Sequence, residues 1–108
     1  IFSMSPSPGE IWLADLGMAA KTRPVLIVSR RDANPPRALI IYVPLTSQYR
    51  GSAYEVPMPK LPFLHAESIA NVQGVASLPV TRLERRLGHV SGDLLAKVKA
   101  ALAYAMEL

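Results

Sequence analysis

The sequence predicts a mainly β fold with helices, of the α+β class: a small, partly open β-barrel carrying one helix at its C-terminus. Three features lead there. Two apolar runs rich in β-branched residues, Val25-Leu26-Ile27-Val28 and Leu39-Ile40-Ile41-Tyr42-Val43, flank a polar turn, and each abuts a proline. Pro57, Pro59 and Pro62 break the middle of the chain into short pieces. Residues 91–108 repeat apolar side chains at helical spacing. Short strands with a terminal helix are best accommodated by a curled sheet, which leaves few exposed edges.

Each element follows from local chemistry. Residues 1–8 read as a flexible arm in which serine and proline alternate from Ser3 to Pro8, with Met4 as the expected natural start and no signal-peptide architecture. Ile11 to Leu16, with Trp12 among aliphatic neighbours, is a strand, and residues 17–22 are a loop. Pro24 has no amide hydrogen, so it belongs at the start or edge of the second strand. Asn34-Pro35-Pro36 marks a turn over residues 31–37. A third strand spans about 38–43, and Pro44 ends its regular pairing.

A short strand is expected near residues 54–56, then a proline-stiffened loop, then one or two strands within 66–78. Pro79 is expected to open a short helix, with Val80, Leu83 and Leu87 on one face and Gly88 as its stop. In the last helix Ser91 is the N-cap and Asp93 sits favourably in the first turn. Leu94, Val98, Leu102 and Ala105 form its apolar stripe, widened by Leu95 and Ala101.

At 108 residues the chain holds one core, placed at residues 9–108. Half of its residues are hydrophobic and 19% are charged, which excludes a disordered chain. Arginine, proline or a polar residue interrupts every apolar run before it reaches membrane-spanning length, so no membrane partner is expected. The absence of cysteine removes disulfides and thiolate metal sites and suits a cytoplasmic home. Net charge is +4, with seven basic against four acidic side chains in the first sixty residues. That balance suits a polyanionic partner.

The most informative chemistry lies at the ends of the two apolar runs. Thr22-Arg23-Pro24 opens the first, and Pro44-Leu45-Thr46-Ser47 closes the second. A guanidinium converging with two hydroxyls makes a phosphate site, since arginine offers a planar fork of donors matched to phosphate oxygens. The alternative is a solvated strand-edge cation beside ordinary turn residues. His65 and His89 are the acid–base rivals, and no local motif supports a serine nucleophile or a glycine-rich phosphate loop. His65, Glu67, His89 and Asp93 lack any metal-ligand spacing, so neither a metal nor another cofactor is expected.

Gly9-Glu10-Ile11-Trp12-Leu13-Ala14-Asp15-Leu16, the Arg23-Pro24 run, Val43-Pro44-Leu45-Thr46-Ser47 and Arg86-Leu87-Gly88 before a terminal helix, in that order, resemble the MazF/PemK family of toxin endoribonucleases. The resemblance covers residues 9–108. It implies an SH3-like barrel working as a homodimer, cleaving single-stranded RNA without metal by attack of the 2′-hydroxyl on the adjacent phosphorus. The products would carry 2′,3′-cyclic phosphate and 5′-hydroxyl ends. It also implies a cognate antitoxin whose extended acidic segment covers the RNA groove.

By the same resemblance the family's catalytic arginine and threonine fall on Arg23 and Thr46, with Ser47 as neighbour or substitute. A guanidinium keeps its proton across the ordinary pH range, so Arg23 is assigned charge stabilisation, and proton donation to the leaving oxygen, rather than base catalysis. Arg30, Arg31, Arg37 and Arg50 are candidates for tracking the RNA backbone. Gln48 and Gln73 are candidates for substrate contacts, and Tyr49 or Tyr54 for stacking a base. Leu95, Met106 and Leu108 are candidates for the dimer contact.

The chain also departs from the family pattern. Met18-Ala19-Ala20-Lys21-Thr22 lacks the acid that many members carry before the arginine. Gly74-Val75-Ala76-Ser77 stands where Gln-Ile-Arg-Thr is common, with Gln73 one position early. Those losses motivate the alternative, a non-catalytic member that binds a protein target in the manner of a gyrase-inhibiting toxin, or a nucleic-acid-binding module.

Overall fold

The computed structural model describes residues 5–17 and 22–108. Seven strands and one α-helix follow one another as β1 (Glu10–Asp15), β2 (Thr22–Ile27), β3 (Leu39–Thr46), β4 (Glu55–Pro57), β5 (Ile69–Asn71), β6 (Ala76–Pro79), β7 (Leu83–His89) and α1 (Gly92–Met106). All pairing is antiparallel, in the order β4-β5-β3-β2-β1-β7, with β6 also on β3. The sheet does not close on itself, in keeping with the partly open barrel expected from the sequence.

Register explains why Val25-Leu26-Ile27 is apolar without alternation. Ile11, Leu26 and Val43 oppose one another across β1, β2 and β3 and share a core with Leu94, Val98 and Ala101 of α1. Val25 and Ile27 point to the other face, into a second cluster with Ala14, Ile40, Leu78 and Leu83. Both faces of β2 are therefore covered, and every position in the run is fully buried.

Pro24 sits where β2 is paired on one side only, opposite Leu13 of β1, as its missing amide requires. The β2–β3 ladder ends at Val25 opposite Pro44. β3 itself continues to Thr46 by changing partners: residues 39–42 pair with β6, whereas Leu45 and Thr46 pair with β5. The expected end of pairing at Pro44 thus holds for the β2 side, while the strand runs on past it.

The helix expected after Pro79 is corrected. Val80–Arg82 forms one 3-10 turn, and the chain then enters β7, paired with β1. Two register irregularities, between Ile11 and Trp12 and between Leu13 and Ala14, set seven β7 residues against five of β1. The extra residues break the period-2 pattern and leave Val80, Leu83 and Leu87 at apparent helical spacing. Gly88 is therefore no helix stop. It is paired with Ile11, and a Cβ there would meet the Phe63 ring at 2.4 Å.

α1 follows the sequence reading. Ser91 accepts from the Leu94 amide at 3.1 Å, and Leu94, Val98 and Ala101 are buried with Leu95, Leu102 and Ala105 packed beside them. Of the three side chains assigned to a dimer contact, Leu95 thus packs against this chain's own core. Met106 and Leu108 are 55% and 90% exposed.

Part of the expected N-terminal arm lies against the domain. Pro6 is buried, Arg31 Nε donates to the Ser5 carbonyl at 3.2 Å, and the Ser7 amide donates to Glu10 Oε1 at 3.0 Å. Residues 1–4 lie outside the described residues. Among the described residues no helix is long and apolar enough to cross a membrane.

Candidate active site

Two prolines open the site. Pro24 and Pro44 withdraw amide donors from adjacent ends of β2 and β3, the ladder stops beside them, and both line a cleft of about 740 Å³. The register Val25–Pro44, Leu26–Val43, Ile27–Tyr42, carried two residues further, sets Arg23 against Thr46. Both side chains line the cleft, together with Ser47 and Gln48. The sequence-predicted catalytic trio thus comes together from two strand ends that are far apart in the chain. The opposite wall is the loop carrying Phe63, Leu64, His65, Glu67 and Ser68.

The hydroxyl of Thr46 is oriented by its own turn: Oγ1 accepts from the Gln48 amide at 3.2 Å. Among the described residues its proton has no acceptor, so it is available to a ligand oxygen. Arg23 is exposed and has no carboxylate partner among the described residues. Its charge is therefore not already spent on the protein.

Arg85 was not among the residues singled out by sequence reasoning, yet it lines the same cleft. Its neighbours are occupied elsewhere. Arg82 approaches Asp15 at 4.0 Å and donates to the Asp15 carbonyl, while Arg86 Nε lies 3.1 Å from Glu10 Oε2. Arg85 opposes Leu13 and has no ion-pair partner among the described residues. The Glu-Arg-Arg-Leu string carried no signal to separate the two arginines, because only the β1 register puts Arg86 opposite Trp12 and Arg85 opposite Leu13.

Glu10 is the anchor of that other face. Its Oε1 accepts from the Ser7 amide and, at 2.9 Å, from Trp12 Nε1. Burial alone would raise its pKa. These hydrogen bonds and the Arg86 guanidinium outweigh burial and hold the carboxyl below its ordinary value.

A second cleft, of about 520 Å³, adjoins the first and shares Thr46 and Gln48 with it. Arg50, Ser52, Tyr54, Glu55, Asn71 and Gln73 complete its lining. Glu55 fixes the loop above it, accepting from the Arg50 amide at 3.0 Å and from the Ser52 amide and hydroxyl at 2.9 and 2.7 Å. Those bonds, first from Ser52 and then from Arg50, hold the Glu55 carboxyl below its ordinary pKa.

The remaining candidates are dispersed. Arg30, Arg31 and Arg37 lie in the β2–β3 connection, at the opposite strand ends from Arg23 and Thr46, and line neither cleft. Tyr49 is exposed beside the clefts without lining them. His89 is outside both and approaches Arg86 Nη2 at 3.3 Å, whereas His65 shares the cleft of Arg23. Ala76 opens β6 opposite Tyr42, away from both clefts. Met18 to Lys21, where the family acid is missing, lie outside the described residues. Among the described residues no three His, Asp or Glu side chains converge as a metal-binding group.

A family model described as the PemK-like, MazF-like toxin of type II toxin–antitoxin systems matches residues 7–106. The chain belongs to the PemK/MazF toxin family. It is similar to endoribonuclease MazF3 of Mycobacterium tuberculosis, 35% identical over 86 residues and 80% of each chain. It is also similar to the probable endoribonuclease MazF5 of the same species, 30% identical over 103 residues and 94% of each chain. Among solved structures, a mycobacterial endoribonuclease in complex with its cognate antitoxin superimposes with a TM-score of 0.83 at 30% identity, covering 96% of this chain and 97% of that one.

Proposed function

We propose that residues 9–108 form a single-domain toxin that acts in the cytoplasm as a sequence-specific, metal-independent endoribonuclease on single-stranded RNA. The observation that carries this reading is that Arg23 and the Thr46 hydroxyl line one cleft, the guanidinium without an ion-pair partner and the hydroxyl proton without an acceptor among the described residues. Membership of a family whose curated relatives are named endoribonucleases supports it.

In the reaction a base removes the 2′-hydroxyl proton, O2′ bonds to phosphorus, and the bond from phosphorus to O5′ breaks. The leaving O5′ takes a proton, so the products are a 2′,3′-cyclic phosphate and a 5′-hydroxyl. Negative charge grows on the non-bridging oxygens, and fixed donors aimed there are worth the most. Arg23 and Arg85 supply two charged forks for those oxygens, and Thr46, with Ser47 beside it, supplies a hydroxyl. Proton acceptance falls to the facing loop, where His65 and Glu67 line the same cleft.

The active species is a homodimer using the exposed end of α1, where Met106 and Leu108 stand in solvent. A cognate antitoxin neutralises it by laying an acidic extended segment over the basic cleft.

Incubation with a structureless RNA and a DNA of identical sequence, in EDTA, tests the proposal. Cleavage of the RNA alone, leaving 2′,3′-cyclic phosphate ends, is the expected result. Equal cutting of both polymers would overturn it, because DNA lacks the internal nucleophile.

A further inference from the structure

We infer that the second cleft is a nucleobase-reading subsite in which Asn71 is the specificity-determining residue, selecting a base that presents a ring N–H beside a carbonyl oxygen, uracil or guanine. This inference rests on the endoribonuclease reading. Its position follows from the lining: Thr46 and Gln48 belong to both clefts, so a nucleotide next to the phosphate held at Thr46 enters the second one. A volume of about 520 Å³ accommodates a base with room for its ribose.

The occupant is a base rather than a second phosphate because of Glu55. Its carboxylate, fixed by three hydrogen bonds from Ser52 and Arg50, is the one acid among the lining residues and offsets Arg50, the one cation there, so the cleft offers a second phosphate no net positive charge. Oε1 takes two of those bonds and Oε2 only one, which leaves Oε2 able to accept a ring N–H. Uracil and guanine carry such an N–H beside a carbonyl; adenine and cytosine do not.

The orientation of Asn71 supplies the complementary half. Its Oδ1 accepts from the Gln73 amide at 3.2 Å, capping the 3-10 turn Val72–Gly74. Because a backbone amide only donates, that oxygen is fixed by the cap, and the NH2 group is turned away from it. With the oxygen engaged, the NH2 donors are the polar part of Asn71 left for a ligand in the cleft this residue lines. A carbonyl oxygen has two lone pairs and can accept from Asn71 and Arg50 together, whereas an exocyclic amine would meet donors with donors. Nothing in the sequence separated Asn71 from an ordinary strand-end polar residue, since the cap forms only once β5 ends there.

Asn71→Asp is the discriminating variant. Aspartate keeps an oxygen for the Gln73 amide, and so keeps the cap, but puts an acceptor where the NH2 was. Sequencing the 5′ ends of cleaved total RNA should find uracil or guanine at one fixed motif position for the parent protein. The variant should cut that motif at least tenfold more slowly, with the preference at that single position shifted or lost. An unchanged motif cut at an unchanged rate would overturn the inference while leaving the ribonuclease reading intact.

Binding of non-cleavable 2′-deoxy-substituted oligonucleotides to the parent protein decides the matter even if Asn71→Asp does not fold or no RNA is cut. At least tenfold tighter binding of uracil- or guanine-bearing strands than of adenine- and cytosine-bearing ones supports the subsite, and the two favoured bases are told apart in the same series. Equal affinities for all four bases would refute it.

Discussion

Replacing Gly88 with alanine tests the contact on which the cleft wall rests. A Cβ at Gly88 would lie 2.4 Å from Phe63 Cε2, 2.6 Å from Cδ2 and 2.7 Å from Cζ. Ordinary carbon–carbon contact is about 3.5–4.0 Å, so the ring must retreat by about 1 Å or more. Gly88 cannot yield instead, because it is paired with Ile11 inside the sheet. Phe63 packs against the main core and also lines the cleft, so its displacement is felt in both places. Overpacking of this kind costs about 1–3 kcal/mol. A misplacement of about 1 Å at a site can cost about 100-fold in rate. Urea unfolding and single-turnover RNA cleavage of Gly88→Ala should show both losses. In a Phe63→Ala background the same substitution should cost less than about 0.5 kcal/mol, because the clash is gone. A Gly88→Ala protein with parental stability and parental cleavage would refute the reasoning.

Glu10 should mark the acid limb of stability. Its folded-state pKa lies below the ordinary carboxyl value of 4.5, so its contribution is fully present above that pH and is lost as pH falls through the lowered value. Glu10→Gln should therefore lower the unfolding free energy at pH 7 and flatten its decline below pH 4.5; an unchanged pH profile would contradict the Ser7, Trp12 and Arg86 contacts. Ser91→Ala removes the side-chain N-cap of α1 and should cost about 1 kcal/mol by chemical unfolding. Ser91→Asp should restore most of that loss.

What could be read from the sequence was what is encoded locally. The apolar stripe of α1 and its Ser91 cap needed only neighbours within a few residues, and both are found as expected. β2 and β3 were legible because continuous β-branched runs bounded by prolines have few other homes. β7 was not, because its two bulges against β1 erase the alternation that marks a strand and leave spacing that mimics a helix. The same limit hid Arg85 and Asn71. Arg23 and Thr46 stood out through their prolines, whereas Arg85 differs from Arg86 only in the face its register assigns, and Asn71 matters only through the turn it caps. The arginines of the β2–β3 connection show the converse. Charge composition made them candidates, but strand direction carries Arg30, Arg31 and Arg37 to the end of the sheet away from both clefts.

In the proposed mechanism the charge of Arg23, held in the cleft beside Thr46, drives RNA cleavage. The most direct measurement is single-turnover cleavage of single-stranded RNA by Arg23→Ala at saturating protein, with urea unfolding of the same sample. Arg23 is exposed and makes no ion pair among the described residues, so the substitution should leave stability within about 0.5 kcal/mol of the parent. Removing one preorganised charge-stabilising group should lower the cleavage rate by about 100-fold to 1,000-fold. A folded Arg23→Ala protein that cuts RNA at the parental rate would contradict the account.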